Sequence, residues 1–130
     1  MIDETETLKL LIEGEYQSPS EGSRFRIDYT DRTLIAITAT GYRILLNFKD
    51  NQVNNMLAES IKFLQSLNSD GIRIGSIHGP AANDTLEIFL RNFSNSGGLG
   101  TYVAPLLKKL GKAEIFIPPN QNAAWIRYKS

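Results

Sequence analysis

The chain contains no cysteine, and this absence excludes several kinds of chemistry at once. Without thiols there is no disulfide bond, no thiolate nucleophile and no zinc site built on cysteine. Histidine occurs once, at His78, so a transition-metal site within one chain would depend mostly on carboxylates, which is an unusual donor set for such metals. We therefore expect neither a metal nor another cofactor, and any catalysis by histidine would depend on His78 alone.

The chain also lacks long apolar runs and net charge. No stretch approaches the roughly 18 apolar residues of a membrane-spanning helix. The first six residues include three acidic ones and no basic one, and no signal-peptide apolar region follows them. We therefore expect a cytoplasmic protein with no membrane partner. The 14 basic and 14 acidic residues cancel, which is unusual for a strong nucleic-acid binder.

The charges that are present are divided unevenly along the chain. Residues 1–70 contain seven Lys and Arg against eleven Asp and Glu, whereas residues 71–130 contain seven against three. This asymmetry is typical of a basic binding half beside an acidic half. It is equally consistent with two halves that attract each other, within one molecule or between two copies.

The size and composition indicate one globular domain. A chain of 130 residues with 42% apolar and 22% charged residues is long enough to form its own core. We predict a single domain over residues 1–130, which can be subdivided into a β-rich part, residues 1–49, and a second part, residues 50–130.

The first part has the pattern of a helix followed by three strands. An acidic first turn and one apolar face predict a helix over residues 3–16. Alternating apolar and polar residues predict strands over residues 25–29 and 42–49, and a β-branched run predicts a more buried strand over residues 34–40. Because the connections are short, we expect the three strands to pair antiparallel.

The second part has the order helix, strand, helix, helix, strand, strand. The predicted segments are residues 50–67, 72–78, 80–93, 99–110, 113–117 and 124–128. Leucines at helical spacing, with Gly111 after them, indicate the third helix. Pro105 fits that helix only if the helix begins near Thr101, so that the proline lies in the first turn.

Two details of the second part decide its architecture. Residues 80–93 fit a strand almost as well as a helix, and we favour the helix because only the helical face includes Phe93. In the last strand, Trp125 and Tyr128 have opposite parity, so they cannot both face the core. We expect Trp125 to be the buried one.

This order of elements resembles the winged helix-turn-helix. The resemblance covers residues 50–130 and is topological, without a diagnostic motif. It implies an α+β fold in which the third helix and the hairpin bind DNA in transcription regulation, while the acidic first part makes homodimer or partner contacts. The residues implied at the DNA interface are Thr101, Tyr102, Lys108, Lys109, Lys112, Asn120, Gln121, Asn122, Arg127 and Lys129.

Two alternatives to DNA binding stay open. One is a protein-interaction or adaptor module, because winged helices also serve as docking modules. The other is a small RNase-like or nucleotide-binding enzyme centred on His78 and the loop with Gly97, Gly98 and Gly100, because glycines at a helix start can turn N–H groups toward a phosphate. That loop resembles the nucleotide-sugar loop of starch and glycogen synthases, although Asn95 and Ser96 stand where those enzymes have a lysine.

Overall fold

The chain is an α+β protein built from two antiparallel sheets and three helices within the described residues. The computed structural model describes residues 12–18, 23–30, 33–46, 53–67, 71–75, 85–94, 98–119 and 123–129. The strands are β1 (Gly14–Gln17), β2 (Arg24–Thr30), β3 (Thr33–Thr38), β4 (Arg43–Leu45), β5 (Ile72–Arg73), β6 (Ala113–Phe116) and β7 (Trp125–Tyr128). The helices are α1 (Val53–Ser66), α2 (Leu86–Leu90) and α3 (Leu99–Lys109).

The first sheet has the strand order β1-β2-β3-β4, and all neighbours are antiparallel. Strands β2, β3 and β4 overlap the three strands predicted from the sequence over residues 25–29, 34–40 and 42–49. In β2, Phe25, Ile27 and Tyr29 are buried while the intervening Arg24 and Arg26 are exposed. The period of two therefore turns one face of this sheet toward the core and the other toward solvent.

Strand β1 corrects the end of the predicted helix over residues 3–16, of which the described Ile12 is helical. Gly14–Gln17 are extended, and Tyr16 lies opposite Phe25 in β2. The two rings stack with their centroids 5.7 Å apart. A cross-strand aromatic pair stabilises the extended form, and Gly14 disfavours a helix. Residues 3–11 of the predicted helix lie outside the described residues.

The second sheet has the strand order β5-β7-β6 and is also antiparallel. Ile126 at its centre is fully buried and lies between Ile72 and Ile115. Strands β6 and β7 fall within the last two predicted strands. Of the predicted strand 72–78, Ile72–Arg73 form β5, and residues 76–78 lie outside the described residues. The expectation for Trp125 is wrong: it is half-buried on the outer face, opposite Arg73 and Phe116.

Helix α2 confirms a helix over Leu86–Leu90 of the ambiguous segment, whereas residues 91–93 form a turn. Leu86–Leu90 are helical, and Thr85 caps the helix because its Oγ1 accepts the N–H of Ile88 at 3.3 Å. Leu86 and Leu90 are fully buried and face the same core as α3. Residues 80–84 of the predicted helix lie outside the described part of the chain.

Helix α3 begins at Leu99, two residues earlier than the proline was expected to allow. Pro105 therefore lies beyond the first turn, where it cannot donate a hydrogen bond to the carbonyl of Thr101. The helix nevertheless continues to Lys109, because both sheets and α2 bury this segment, and Val103, Leu106 and Leu107 are fully buried. Tertiary burial offsets the local cost of the proline.

One apolar cluster joins the two sheets and the three helices. The largest of its fully buried side chains are Ile12, Ile27, Leu34, Leu46, Met56, Leu64, Ile74, Leu86, Leu90, Leu99, Leu106 and Leu107. Residues on both sides of the proposed subdivision at residue 50 therefore share a core. Within the described residues, no helix is both long enough and apolar enough to cross a membrane.

Candidate docking groove between β1 and α3

The face of α3 that was expected to enter a DNA groove lies under the first sheet. Tyr102 is only 8% exposed, and its ring meets that of Phe25 edge to face at 5.0 Å between centroids. Pro105 is buried and Thr101 is half-buried. The expectation of an outward-facing Tyr102 is therefore wrong, because aromatic packing between β2 and α3 covers this side of the helix.

The lysines expected at the interface are exposed and lie near one end of the molecule. Lys108 and Lys109 form the last turn of α3, and Lys112 follows in the link to β6. Lys129 is adjacent, because its backbone N–H donates to the carbonyl of Lys112 at 3.0 Å. The backbones of these four lysines are therefore close to one another, and we call this group the basic end. Asn120, Gln121 and Asn122 at the hairpin tip lie outside the described residues.

Arg127 has a different environment from the lysines. It lies on the outer face of the second sheet, where its guanidinium forms an ion pair with Glu114. The same guanidinium lies over the ring of Phe116, 4.5 Å from the ring centroid. The two contacts compensate the charge of Arg127 locally and hold it on this sheet.

In the glycine loop, a protein carboxylate takes the position that a phosphate would need in the nucleotide-binding alternative. The N–H of Gly100 donates to the Oε1 of Glu87 at 2.8 Å, so a carboxylate from α2 occupies the start of α3. A Cβ atom on Gly100 would lie 2.6 Å from the carbonyl oxygen of Ile74, so this glycine is required by close packing. Gly97 and His78 lie outside the described residues.

A groove of about 810 Å³ opens between β1 and the C-terminal half of α3. Tyr16 and the other residues of β1 form one wall, and Pro105, Lys108 and Lys109 form the other. Ile115 of β6 also lines the groove. Gly14 has no side chain, and a Cβ atom built on it would have no neighbouring atom within 4 Å. The lining as a whole is Glu13, Gly14, Glu15, Tyr16, Gln17, Ser18, Arg24, Pro105, Lys108, Lys109 and Ile115.

The strand wall of the groove carries charges of both signs, from Glu13, Glu15 and Arg24. The carboxylate of Glu13 accepts the N–H of Tyr29 at 2.9 Å, and Glu15 lies opposite Arg26 in the register. The pKa of Arg26 is raised, chiefly by its hydrogen bond to Asp28 and more weakly by Glu13 and Glu15. Lys108 and Lys109 form no ion pair with any described carboxylate. The helical wall is therefore the electropositive one.

Tyr16 is held in place at the groove rather than free to move. Its hydroxyl donates to the carbonyl of Ile12 at 2.6 Å, and its ring stacks on Phe25. Burial raises the pKa of Tyr16 to about 12 and also raises the pKa of Tyr102. Both phenols are therefore neutral near pH 7, and Tyr16 provides an apolar wall with a fixed orientation.

Sequence reasoning found the lysines of this groove but missed its strand wall. The alternation of Glu15, Tyr16 and Gln17 is a weak signal for a strand, and it was outweighed by the acidic, leucine-containing segment before it. Among the residues that the structure describes, no group of His, Cys, Asp or Glu side chains could hold a metal ion. The chain matches no protein-family model, no curated protein and no solved structure.

Proposed function

We propose that this chain is a protein-interaction module that binds a segment of a partner protein in the groove between β1 and α3. The observation that carries the proposal is the groove itself: it is open, bounded by the fixed Tyr16 on one side and by Lys108 and Lys109 on the other. Concave surfaces with an apolar part and a few oriented polar groups are the usual binding sites of proteins.

The arrangement of residues 53–128 supports the scaffold that we propose for this module, a winged-helix-like unit. Its elements follow the order helix, strand, helix, helix, strand, strand. Strand β5, which precedes α2 and α3 in the chain, pairs with the last strand, β7. This pairing encloses Ile126 within the unit. On this scaffold the first sheet covers α3, so binding takes place beside the helix rather than through its face.

The proposal is tested by selecting peptides from a random library displayed on phage, with the full chain as the target. Selected peptides are then labelled and measured by fluorescence anisotropy. We expect the double variant Lys108→Glu/Lys109→Glu to weaken binding by about tenfold or more, since charge reversal opposes an electropositive wall. The matched control is Lys112→Glu, which changes an exposed lysine that does not line the groove. Equal loss in both variants would remove the groove as the site.

DNA binding is a second candidate, and the basic end favours it. Lys108, Lys109, Lys112 and Lys129 are exposed and close together, as phosphate contacts require. For this function we propose contacts to the DNA backbone from these lysines, with transcription regulation and a homodimer as the biological setting. Because Tyr102 is covered, insertion of the α3 face into a major groove is not part of the proposal.

Salt dependence separates the two candidates. A DNA complex held by phosphate contacts loses affinity with a slope of about −0.9 per phosphate when the logarithm of affinity is plotted against that of salt concentration. If DNA is the ligand, Lys108→Ala/Lys109→Ala should reduce the slope by roughly two units. If the groove binds protein segments, a DNA duplex should show no measurable affinity even at low salt.

A further inference from the structure

Strand β1 has an open backbone edge. Among the described residues it pairs with β2 on one side and has no strand neighbour on the other. The N–H of Ser18 donates to the carbonyl of Ser23 at 2.8 Å, so these two residues form a hydrogen-bonded pair. The register then shows which residues of β1 turn their backbone N–H and C=O groups toward β2. Because hydrogen-bonding direction alternates along an antiparallel strand, the N–H and C=O groups of Glu15 and Gln17 point away from β2.

The opposite edge of the same sheet is contacted by a buried side chain. In β4, the carbonyl of Leu45 points away from β3 and accepts the hydroxyl of Ser94 at 2.7 Å. Ser94 is fully buried, so this contact belongs to the core of the molecule. An exposed strand edge is a template for pairing with another chain, and proteins commonly cover or interrupt it. Within the described residues, β1 is neither covered nor interrupted by proline.

Resting on the proposed function, we infer that the partner segment is an extended, acidic peptide that adds to β1 as a further strand of the first sheet. Its backbone would pair with Glu15 and Gln17, which is the usual way in which an edge strand binds a peptide. The electropositive wall of Lys108 and Lys109 requires the acidic residue, because no described carboxylate pairs with these lysines. Glu13 and Glu15 line the strand wall together with Arg24, so the acidic side chain is expected on the helical side of the groove.

The geometry also specifies a pattern for the peptide. Side chains of an added strand alternate between the two faces of the sheet, so residues two apart share the groove side. One of them would contact the apolar surface formed by Tyr16, Pro105 and Ile115, and the other would reach Lys108 or Lys109. The expected pattern is an apolar residue and an Asp or Glu separated by one residue of any type.

The edge contact is tested with two changes at the same position. Gln17→Pro removes the outward N–H, and proline is tolerated on an edge strand where that N–H makes no ladder bond. Gln17→Ala removes the same side chain but keeps the N–H. For a peptide selected from the library, we expect Gln17→Pro to bind about tenfold more weakly than Gln17→Ala, since a partner carbonyl loses its donor.

A change in the peptide provides the same test without altering the protein. N-methylation of the peptide amides that face β1 should abolish binding, whereas N-methylation of the alternate amides should not. Replacing the acidic residue by its amide should weaken binding about fivefold or more in wild type and have little effect in Lys108→Ala/Lys109→Ala. Peptide binding should also slow amide hydrogen exchange at Glu15 and Gln17.

The outcomes are distinct. If selected peptides bind the groove but tolerate proline at position 17 and both N-methylation patterns, strand addition is wrong while the proposed function stands. If selected peptides lack the acidic pattern, the acidic partner is wrong. If no peptide is selected, or if all of them bind elsewhere, both the inference and the proposed function fail.

Discussion

Glu87 shows how a single buried side chain positions α3. Its side chain is 1% exposed, Oε1 accepts the N–H of Gly100 at 2.8 Å, and Oε2 lies 3.6 Å from the Nε of Arg91. A carboxylate at the start of a helix also interacts favourably with the helix dipole. The glycine N-cap, Gly98, has no side chain to perform this role. Glu87 therefore replaces the missing cap from a neighbouring helix.

We expect Glu87→Ala to lower the free energy of unfolding by about 2–3 kcal/mol, because it leaves the N–H of Gly100 buried without an acceptor. Urea denaturation measures this loss. The control is Glu59→Ala, which removes an exposed carboxylate 3.6 Å from Lys62 and should cost less than about 0.5 kcal/mol. Similar losses in the two variants would show that Glu87 has no capping role.

Tyr16 gives the molecule a specific sensitivity to alkaline pH. Its folded pKa is about 12, above the ordinary value of 10.0. Between these pH values the unfolded chain releases the phenol proton while the folded chain keeps it, so stability is complete below pH 10 and falls as the pH rises toward 12. We expect Tyr16→Phe to lose less stability than wild type over this interval, as measured by urea denaturation at several pH values. Parallel pH profiles would contradict the burial of this phenol.

At the scale of elements, the contact between α3 and the loop after β5 depends on Gly100. Alanine is favoured over glycine by about 1 kcal/mol within a helix, so intrinsic propensity alone would make Gly100→Ala stabilising. A Cβ at this position, however, would lie 2.6 Å from the carbonyl oxygen of Ile74. We expect a net loss of about 1–3 kcal/mol in thermal or urea unfolding. An increase in stability would show that α3 does not approach Ile74 so closely.

The last strand tests which face of the second sheet lies on the core. Ile126 is fully buried, whereas Trp125 is half-buried on the outer face. We expect Ile126→Ala to cost about 2–4 kcal/mol and Trp125→Ala to cost less, although tryptophan is the larger side chain. The reverse order in urea unfolding would mean that the strand is rotated by one residue.

The elements that sequence reasoning predicted well have strong local patterns. Leucines at helical spacing indicated α3, and alternation indicated β2. Strand β1 could not be predicted in the same way, because its extended form depends on Tyr16 stacking on Phe25. The burial of Tyr102 depends on the same ring of Phe25, which is 77 positions away in the sequence. The groove therefore follows from long-range contacts that no local pattern contains.

At the scale of the whole molecule, the first sheet determines which surface of the second part is available. Without it, α3 would present Tyr102 and Pro105 beside its lysines, as the resemblance to a winged helix implies. With it, only the C-terminal lysines of α3 stay exposed, and they face the open edge of β1 across the groove. The shared core joins the two parts, so the groove is a property of the complete chain.

The central claim, that a partner segment binds between β1 and α3, is tested most directly by NMR. The ¹⁵N-labelled full chain is titrated with a peptide selected from the library, and shifts of the backbone amides are followed. We expect the largest changes at residues 13–18, at Lys108 and Lys109 of α3, and at Ile115. Largest changes along β7 or α1, with residues 13–18 unaffected, would contradict the account.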